Sequence, residues 1–167
     1  MNLYVIRHGE AEKIGGSIKS DSGRPLTQKG EADARLVGTL LVRLDPGVEL
    51  ILCSPFLRAL QTAEGVAAGF SHPPVVKQTE NLSPGFRPNA LLHELHSLAP
   101  GCSVAVIGHQ PDLSVLLAHV IEGESAGSIA MAPAAMAKIT FEAWPTADAV
   151  LQWLLGPEVI RQLSSDR

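Results

Sequence analysis

Residues 2–9 read "NLYVIRHG". Apolar, aromatic and β-branched side chains fill Leu3–Ile6, the composition of a buried strand. The run stops at Arg7 and His8, and Gly9 then lets the backbone turn close to a ligand. A buried strand that ends in a cation and an imidazole is delivering them to a site.

The pattern around this strand sets the fold class. Residues 9–26 carry Gly, Ser and Pro and read as loop. Thr27 can cap a helix through "QKGEADARLVGTLLVRL", whose Ala32, Leu36, Val37, Leu40 and Leu41 share one face, and "DPG" at 45–47 stops it. "VELILC" (48–53) is a second strand. Ser54 as N-cap and Pro55 at the first helical position then start a helix that includes "FLRALQTAEGVAAGF". "PVVKQ" is a short third strand, "NLSPGFRPN" a loop, and "ALLHELHSL" a short helix. "SVAVIG" (103–108) is a fourth strand, and Pro111 leads into the helix "DLSVLLAHVI". "MAKITFEAW" and "AVLQWLLG" are strand-like runs around a turn with Pro145 and Asp148, and "PEVIRQL" is a last helical segment.

Strand and helix alternate four times, which predicts an α/β three-layer sandwich: a mostly parallel central sheet with helices on both faces. With no internal repeat or linker, residues 1–167 are expected to form a single domain. A chain of this length buries roughly 70% of its unfolded surface.

Composition narrows the function classes. Apolar residues make up 46%, against disorder, and the net charge of −4 without a basic run argues against nucleic-acid binding. No stretch approaches the ~20 apolar residues of a membrane span. The leading "LYVI" lacks the length and basic flank of a secretory leader. Cys53 and Cys102 lie in apolar runs and read as buried free thiols. A cytoplasmic protein is expected.

In open α/β sheets, ligands bind beyond the carboxyl ends of the strands. Arg7, His8 and Gly9 follow the first strand. Ser54, Pro55 and Arg58 follow the second, Glu80 the third, and Gly108 and His109 the fourth. A parallel sheet brings these ends to one edge, where helix starts at Pro55 and Pro111 add partial positive charge. Two guanidiniums can grip phosphoryl oxygens bidentately. One histidine can add a hydrogen bond, and the other can act as nucleophile. Each residue alone has an ordinary reading as strand end, surface helix residue or turn; the joint placement points to a phosphoryl site.

Two other motifs carry less. "CSPFLR" resembles a cysteine-phosphatase loop, but its spacing is short and it lacks glycines. "HELH" (93–96) could offer a metal pair, but no further ligand is evident and a solvated helix face explains it. Asp112 suits the start of its helix.

The stretches "LYVIRHGEAE", "RPLTQKG", "CSPFLRALQTAE" and "VIGHQPDLS" together resemble the histidine phosphatase superfamily, which includes the phosphoglycerate mutases. "RHGEAE", "GHQPDLS" and "LQWLLGPEVI" are similar to its small SixA-type phosphohistidine phosphatases. The resemblance runs from first strand to last helix. It implies a phosphoglycerate mutase-like fold without a cap domain, with His8 as nucleophile and Arg7, Arg58 and His109 as the phosphate pocket. Gly9 belongs to that pocket as well. Larger members place an acidic proton donor after the third strand. Here "QTENLSPGF" puts Pro84 near that position, and Glu80 is the nearest carboxylate and the candidate general acid.

The implied chemistry is two in-line displacements on phosphorus through a phosphohistidine on His8, with no metal or cofactor. A site with no well-placed acid suits phosphohistidine, whose imidazole is a better leaving group than an alkoxide. The short connection after the third strand leaves no room for a lid, so the site should be open and suited to a protein surface. A monomeric phosphatase acting on a phosphohistidine-bearing phosphorelay or phosphotransfer protein is expected. The other readings are a small-molecule phosphomonoesterase or mutase of the same superfamily, and a non-catalytic phosphate-binding module.

Overall fold

The computed structural model describes residues 1–98, 101–122, 129–142 and 149–165. The strands are β1 (Asn2–Arg7), β2 (Val48–Cys53), β3 (Val75–Gln78), β4 (Ser103–Gly108), β5 (Met136–Phe141) and β6 (Ala149–Leu155). The helices are α1 (Gln28–Leu44), α2 (Leu57–Ala67), α3 (Pro88–His96), α4 (Asp112–Glu122) and α5 (Pro157–Ser165), and a 3₁₀ turn spans Glu80–Leu82.

One six-stranded sheet runs in the order β3-β2-β4-β1-β5-β6. β1, β2, β3 and β4 are mutually parallel, with Arg7 opposite Gly108 and Cys53 opposite Ile107. β5 and β6 add an antiparallel pair beside β1. The expected turn at Pro145 and Asp148, and the end of the run at Ala143 and Trp144, lie outside the described residues.

Alternation along β1 divides the core into two layers. Leu3 and Val5 face α3 and α4 through Leu91, Leu95, Leu113, Leu116 and Leu117. Tyr4 and Ile6 face α1, α2 and α5 through Val37, Leu41, Ala63, Val66 and Ile160. These four central side chains of β1 are fully buried, which is why the strand shows no polar alternation. Among the described residues, no helix is long and apolar enough to cross a membrane.

Local signals predict some boundaries and miss others. α1 has the expected bounds, and the Thr27 hydroxyl accepts the Gly30 N–H at 3.0 Å. α2 starts later than the Ser54-Pro55 signal predicts, at Leu57. The Ser54 hydroxyl is engaged by His109 and the Phe56 N–H, and the Leu57 N–H is taken by the Ser22 carbonyl at 2.9 Å. A tertiary contact therefore replaces the local cap. α2 also ends before the expected Phe70, where Gly69 meets α1: a Cβ on Gly69 would lie 2.5 Å from the Gly38 carbonyl carbon. The 3₁₀ turn and the start of α3 at Pro88 occupy residues expected as loop.

The candidate phosphoryl site

The carboxyl ends of β1 and β4 lie side by side, and β2 adjoins β4. This brings Arg7, His8, Arg58 and His109 into one cluster. His8, Arg58 and His109 are almost wholly buried, at 9%, 4% and 3% exposure. The His8 and His109 ring centroids are 5.0 Å apart.

Two contacts define the state of His8. Nδ1 lies 2.7 Å from the Gly9 carbonyl oxygen, and Nε2 lies 3.1 Å from Nε of Arg58. A guanidinium N–H can only donate and a carbonyl can only accept. The proton is therefore on Nδ1, and Nε2 carries a lone pair. Burial lowers the His8 pKa to about 4, with Arg58, Arg7 and Arg24 adding to the shift and the Gly9 carbonyl opposing it. His8 is a neutral imidazole with its basic nitrogen in the cluster.

The other members are held from several elements. Arg7 Nη1 donates to the Met131 carbonyl at 2.6 Å. Burial and the neighbouring Arg58 lower the Arg7 pKa from its ordinary value. The backbone N–H of Ala134 lies 3.2 Å from both the Arg7 and His8 carbonyls, and Ala134 adopts a left-handed φ of 62° to reach them. His109 Nε2 is 2.8 Å from the Ser54 hydroxyl. Burial, then His8 and Arg58, lower the His109 pKa to about 3, so it too is neutral.

Among the described residues, Arg7 Nε and His109 Nδ1 are buried side-chain polar atoms without a hydrogen-bond partner. Buried polar groups are almost always paired. Two unpaired atoms on residues of one cluster mark a place suited to an oxyanion. They lie in the same cluster as the Arg58 guanidinium and the Nε2 lone pair of His8.

Gly9 has a different constraint from the one expected. Its φ is not left-handed; a Cβ there would lie 2.8 Å from the Gly30 carbonyl oxygen in α1. A Cβ on Gly30 would in turn lie 2.1 Å from the Glu10 carbonyl oxygen. The pair of glycines lets α1 approach the chain just after His8. Glu80 begins the 3₁₀ turn after β3, exposed, with its carboxylate accepting the Ser83 hydroxyl at 2.6 Å. α4 begins at Asp112, the first residue of the expected helical run, after a cis Gln110–Pro111 bond.

Four neighbours were not singled out as site residues by their sequence signals. Thr62, one helical turn beyond Arg58, accepts the Gly9 N–H at 3.0 Å and donates to the Arg58 carbonyl at 2.6 Å. Phe56 packs edge-on to His109 and under Arg58. Ser54, expected as a helix cap at the end of the second strand, places its hydroxyl 2.8 Å from His109 Nε2. Asp21, in the long loop, accepts Arg58 Nη2 at 3.0 Å. Only the i, i+4 spacing of Arg58 and Thr62 could have hinted at any of them.

Residues 3–83 match the model of the histidine phosphatase superfamily (branch 1). The phosphohistidine phosphatase SixA of Escherichia coli is 30% identical over 94% of both chains. A protein of Picosynechococcus sp. is 42% identical over 68% of both chains. The structure of the protein histidine phosphatase SixA complexed with tungstate superposes with a TM-score of 0.82 at 30% identity, covering 96% of this chain and 99% of that one. From the strand-end cluster through the fold to these relatives, the chain belongs to the histidine phosphatase superfamily and is one of its SixA-like members.

Proposed function

We propose that this protein removes the phosphoryl group from a histidine of another protein, through a covalent phosphohistidine on His8. The observation that carries the reading is the His8 tautomer: neutral, buried, with its Nε2 lone pair among cationic and neutral donors. The likeness to the E. coli phosphohistidine phosphatase supports the substrate class.

In the first displacement, the Nε2 lone pair attacks phosphorus and the bond to the substrate imidazole breaks. That imidazole departs with the bonding pair and is protonated on the nitrogen it frees. In the second, a water oxygen attacks phosphorus, the Nε2–P bond breaks, and phosphate leaves with the water proton passing to solvent. Arg7, Arg58 and His109 hold the equatorial oxygens, so charge stabilisation and positioning do most of the work. The Nδ1–H bond to Gly9 keeps the ring oriented and stabilises the positive charge it gains in phosphorylation. Arg58 must first turn its Nε–H from Nε2 to a phosphoryl oxygen.

Only residues 79–87 separate β3 from α3, which leaves the site without a cap domain and favours a protein-borne substrate. Glu80 is solvent-exposed and bonded to Ser83, in keeping with a leaving group that needs little help from an acid.

The test compares phosphate release from a phosphohistidine-bearing protein, an aryl phosphate and phosphoglycerate. The phosphohistidine substrate should be fastest and the alkyl ester slowest. Label from the substrate, quenched in base, should reside on His8. If alkyl phosphates win and Glu80→Gln abolishes their cleavage, the protein is a small-molecule phosphomonoesterase.

A further inference from the structure

We propose that Asp21 is a positioning residue for the reaction, acting through Arg58. Asp21 holds the outer edge of that guanidinium while the Nε–H edge is left to His8 and the phosphoryl group. The inference rests on Arg58 binding that group, as proposed above.

The Arg58 guanidinium is divided between two partners. Nε donates to His8 Nε2 at 3.1 Å. Nη1 donates to the Asp21 backbone carbonyl at 2.7 Å, and Nη2 to the Asp21 carboxylate at 3.0 Å. Three of the five N–H donors are used, and one remains on each Nη. Both Nη groups are thus held by one residue of a loop distant in sequence from α2.

Asp21 is itself fixed. Arg24 Nη1 donates to its other carboxylate oxygen at 2.9 Å, and the Arg24 N–H returns to the Asp21 carbonyl at 3.3 Å. Arg24 Nε reaches back to the Glu12 carbonyl. The Ser20 hydroxyl accepts the Gly23 N–H, and the Ser22 carbonyl accepts the Leu57 N–H at the start of α2. The turn 20–24 is therefore docked on the helix that carries Arg58. Hydrogen bonds from Arg24 and Arg58 outweigh burial and hold the Asp21 carboxyl below its ordinary value, so it stays an anion.

This arrangement fits the movement the chemistry needs. Arg58 must release the Nε2 lone pair before His8 can attack, and keep its charge beside the phosphorus. With both Nη groups anchored on Asp21, a small rotation moves the Nε–H from Nε2 to a phosphoryl oxygen. Without that anchor, the guanidinium must be ordered anew in each cycle.

The experiment is a double-mutant cycle. Rates are measured on an aryl phosphate and on a phosphohistidine-bearing protein, for wild type, Asp21→Ala, Arg58→Ala and the double variant. Asp21→Ala should lower kcat about tenfold, less than the roughly 10²–10³ expected for Arg58→Ala. In the Arg58→Ala background the same change should cost less than about twofold, because its route is already removed. Asp21→Asn keeps an acceptor oxygen and should recover part of the loss. Equal losses in both backgrounds would overturn the inference in favour of a direct or purely structural role. Tighter binding of inorganic phosphate by Asp21→Ala, with undiminished kcat, would show a competing anion instead. If wild type cleaves the aryl phosphate but not phosphohistidine, the proposed substrate falls and the cycle still decides the role of Asp21. If it cleaves neither, the cycle is read as inorganic phosphate affinity by calorimetry, where Asp21→Ala should weaken binding only when Arg58 is present.

Discussion

The Nε–H of Arg58 ends on Nε2 of His8, 3.1 Å away. The group that would bind the phosphoryl oxygens thus caps the lone pair that would attack phosphorus. Arg58→Ala should lower kcat/KM by roughly 10²–10³ through loss of transition-state charge stabilisation. It also removes one of the charges that depress the His8 pKa, so the His8 titration should move up from about 4. Nuclear magnetic resonance of the imidazole carbons reads this directly. An unchanged titration would contradict the assigned contact.

Acid should both inactivate and destabilise the protein. His8 and His109 have folded-state pKa values near 4 and 3, below the ordinary 6.5. Between those values the unfolded chain binds more protons than the folded one. Their contribution to stability is therefore complete above about pH 6.5 and is lost as pH falls through the folded values. The melting temperature should drop from pH 7 to pH 4, and kcat/KM should hold its plateau until the pH nears 4. An acid limb of kcat/KM centred near 6.5 would mean that His8 is not shielded as described.

Thr62→Val should affect both stability and rate. It leaves the buried Gly9 N–H without its 3.0 Å acceptor, at a cost of about 1–3 kcal/mol. The same change loosens the segment whose carbonyl fixes the His8 tautomer. Urea unfolding and kcat measured together should both fall; a stable variant with normal turnover would contradict this coupling.

Two glycines separate packing from chemistry. A Cβ at Gly38 would lie 2.3 Å from the Val66 carbonyl oxygen, and one at Gly30 would lie 2.1 Å from that of Glu10. Each alanine variant should lose about 1–3 kcal/mol or more through forced separation of backbone segments. Gly30→Ala should also lower kcat, because the displaced segment adjoins His8, whereas folded Gly38→Ala should turn over normally. Equal kcat values would argue against the role given to the Gly9–Gly30 approach.

At the opposite edge of the sheet, Asp45 accepts from the Tyr4 hydroxyl at 2.9 Å, Ser103 at 2.7 Å and Asn2 at 3.1 Å. Burial acts to raise its pKa, but the donors outweigh it and hold the carboxyl below the ordinary value. Its stabilising effect is therefore present at neutral pH and is lost as pH falls below about 4. Asp45→Asn should cost about 1–3 kcal/mol at pH 7 and less at pH 3, with kcat unchanged. A cost that is the same at both pH values would show that the charge is not what the network holds.

Much of this protein is written locally. The unbroken apolar runs of β1 and β4, the Thr27 cap and the bounds of α1 follow from side-chain period and capping over a few residues. The meeting of Arg7, His8, Arg58 and His109 follows from the rule that parallel strands end at one edge. The partners that set their chemistry do not. Asp21 reaches Arg58 across a loop of otherwise ordinary polar residues, and Ser54 turns from the cap position to His109. The Nδ1–H tautomer of His8 depends on Arg58, fifty residues away in sequence. Hydrogen bonds between distant segments have no periodicity to betray them, and a polar residue in a loop looks the same with or without a buried partner. The sequence by itself determined the elements and which side chains stand at the strand ends; the tertiary structure decided their protonation, their orientation and which loop residue holds them there, because burial and donor geometry exist only once the segments have packed.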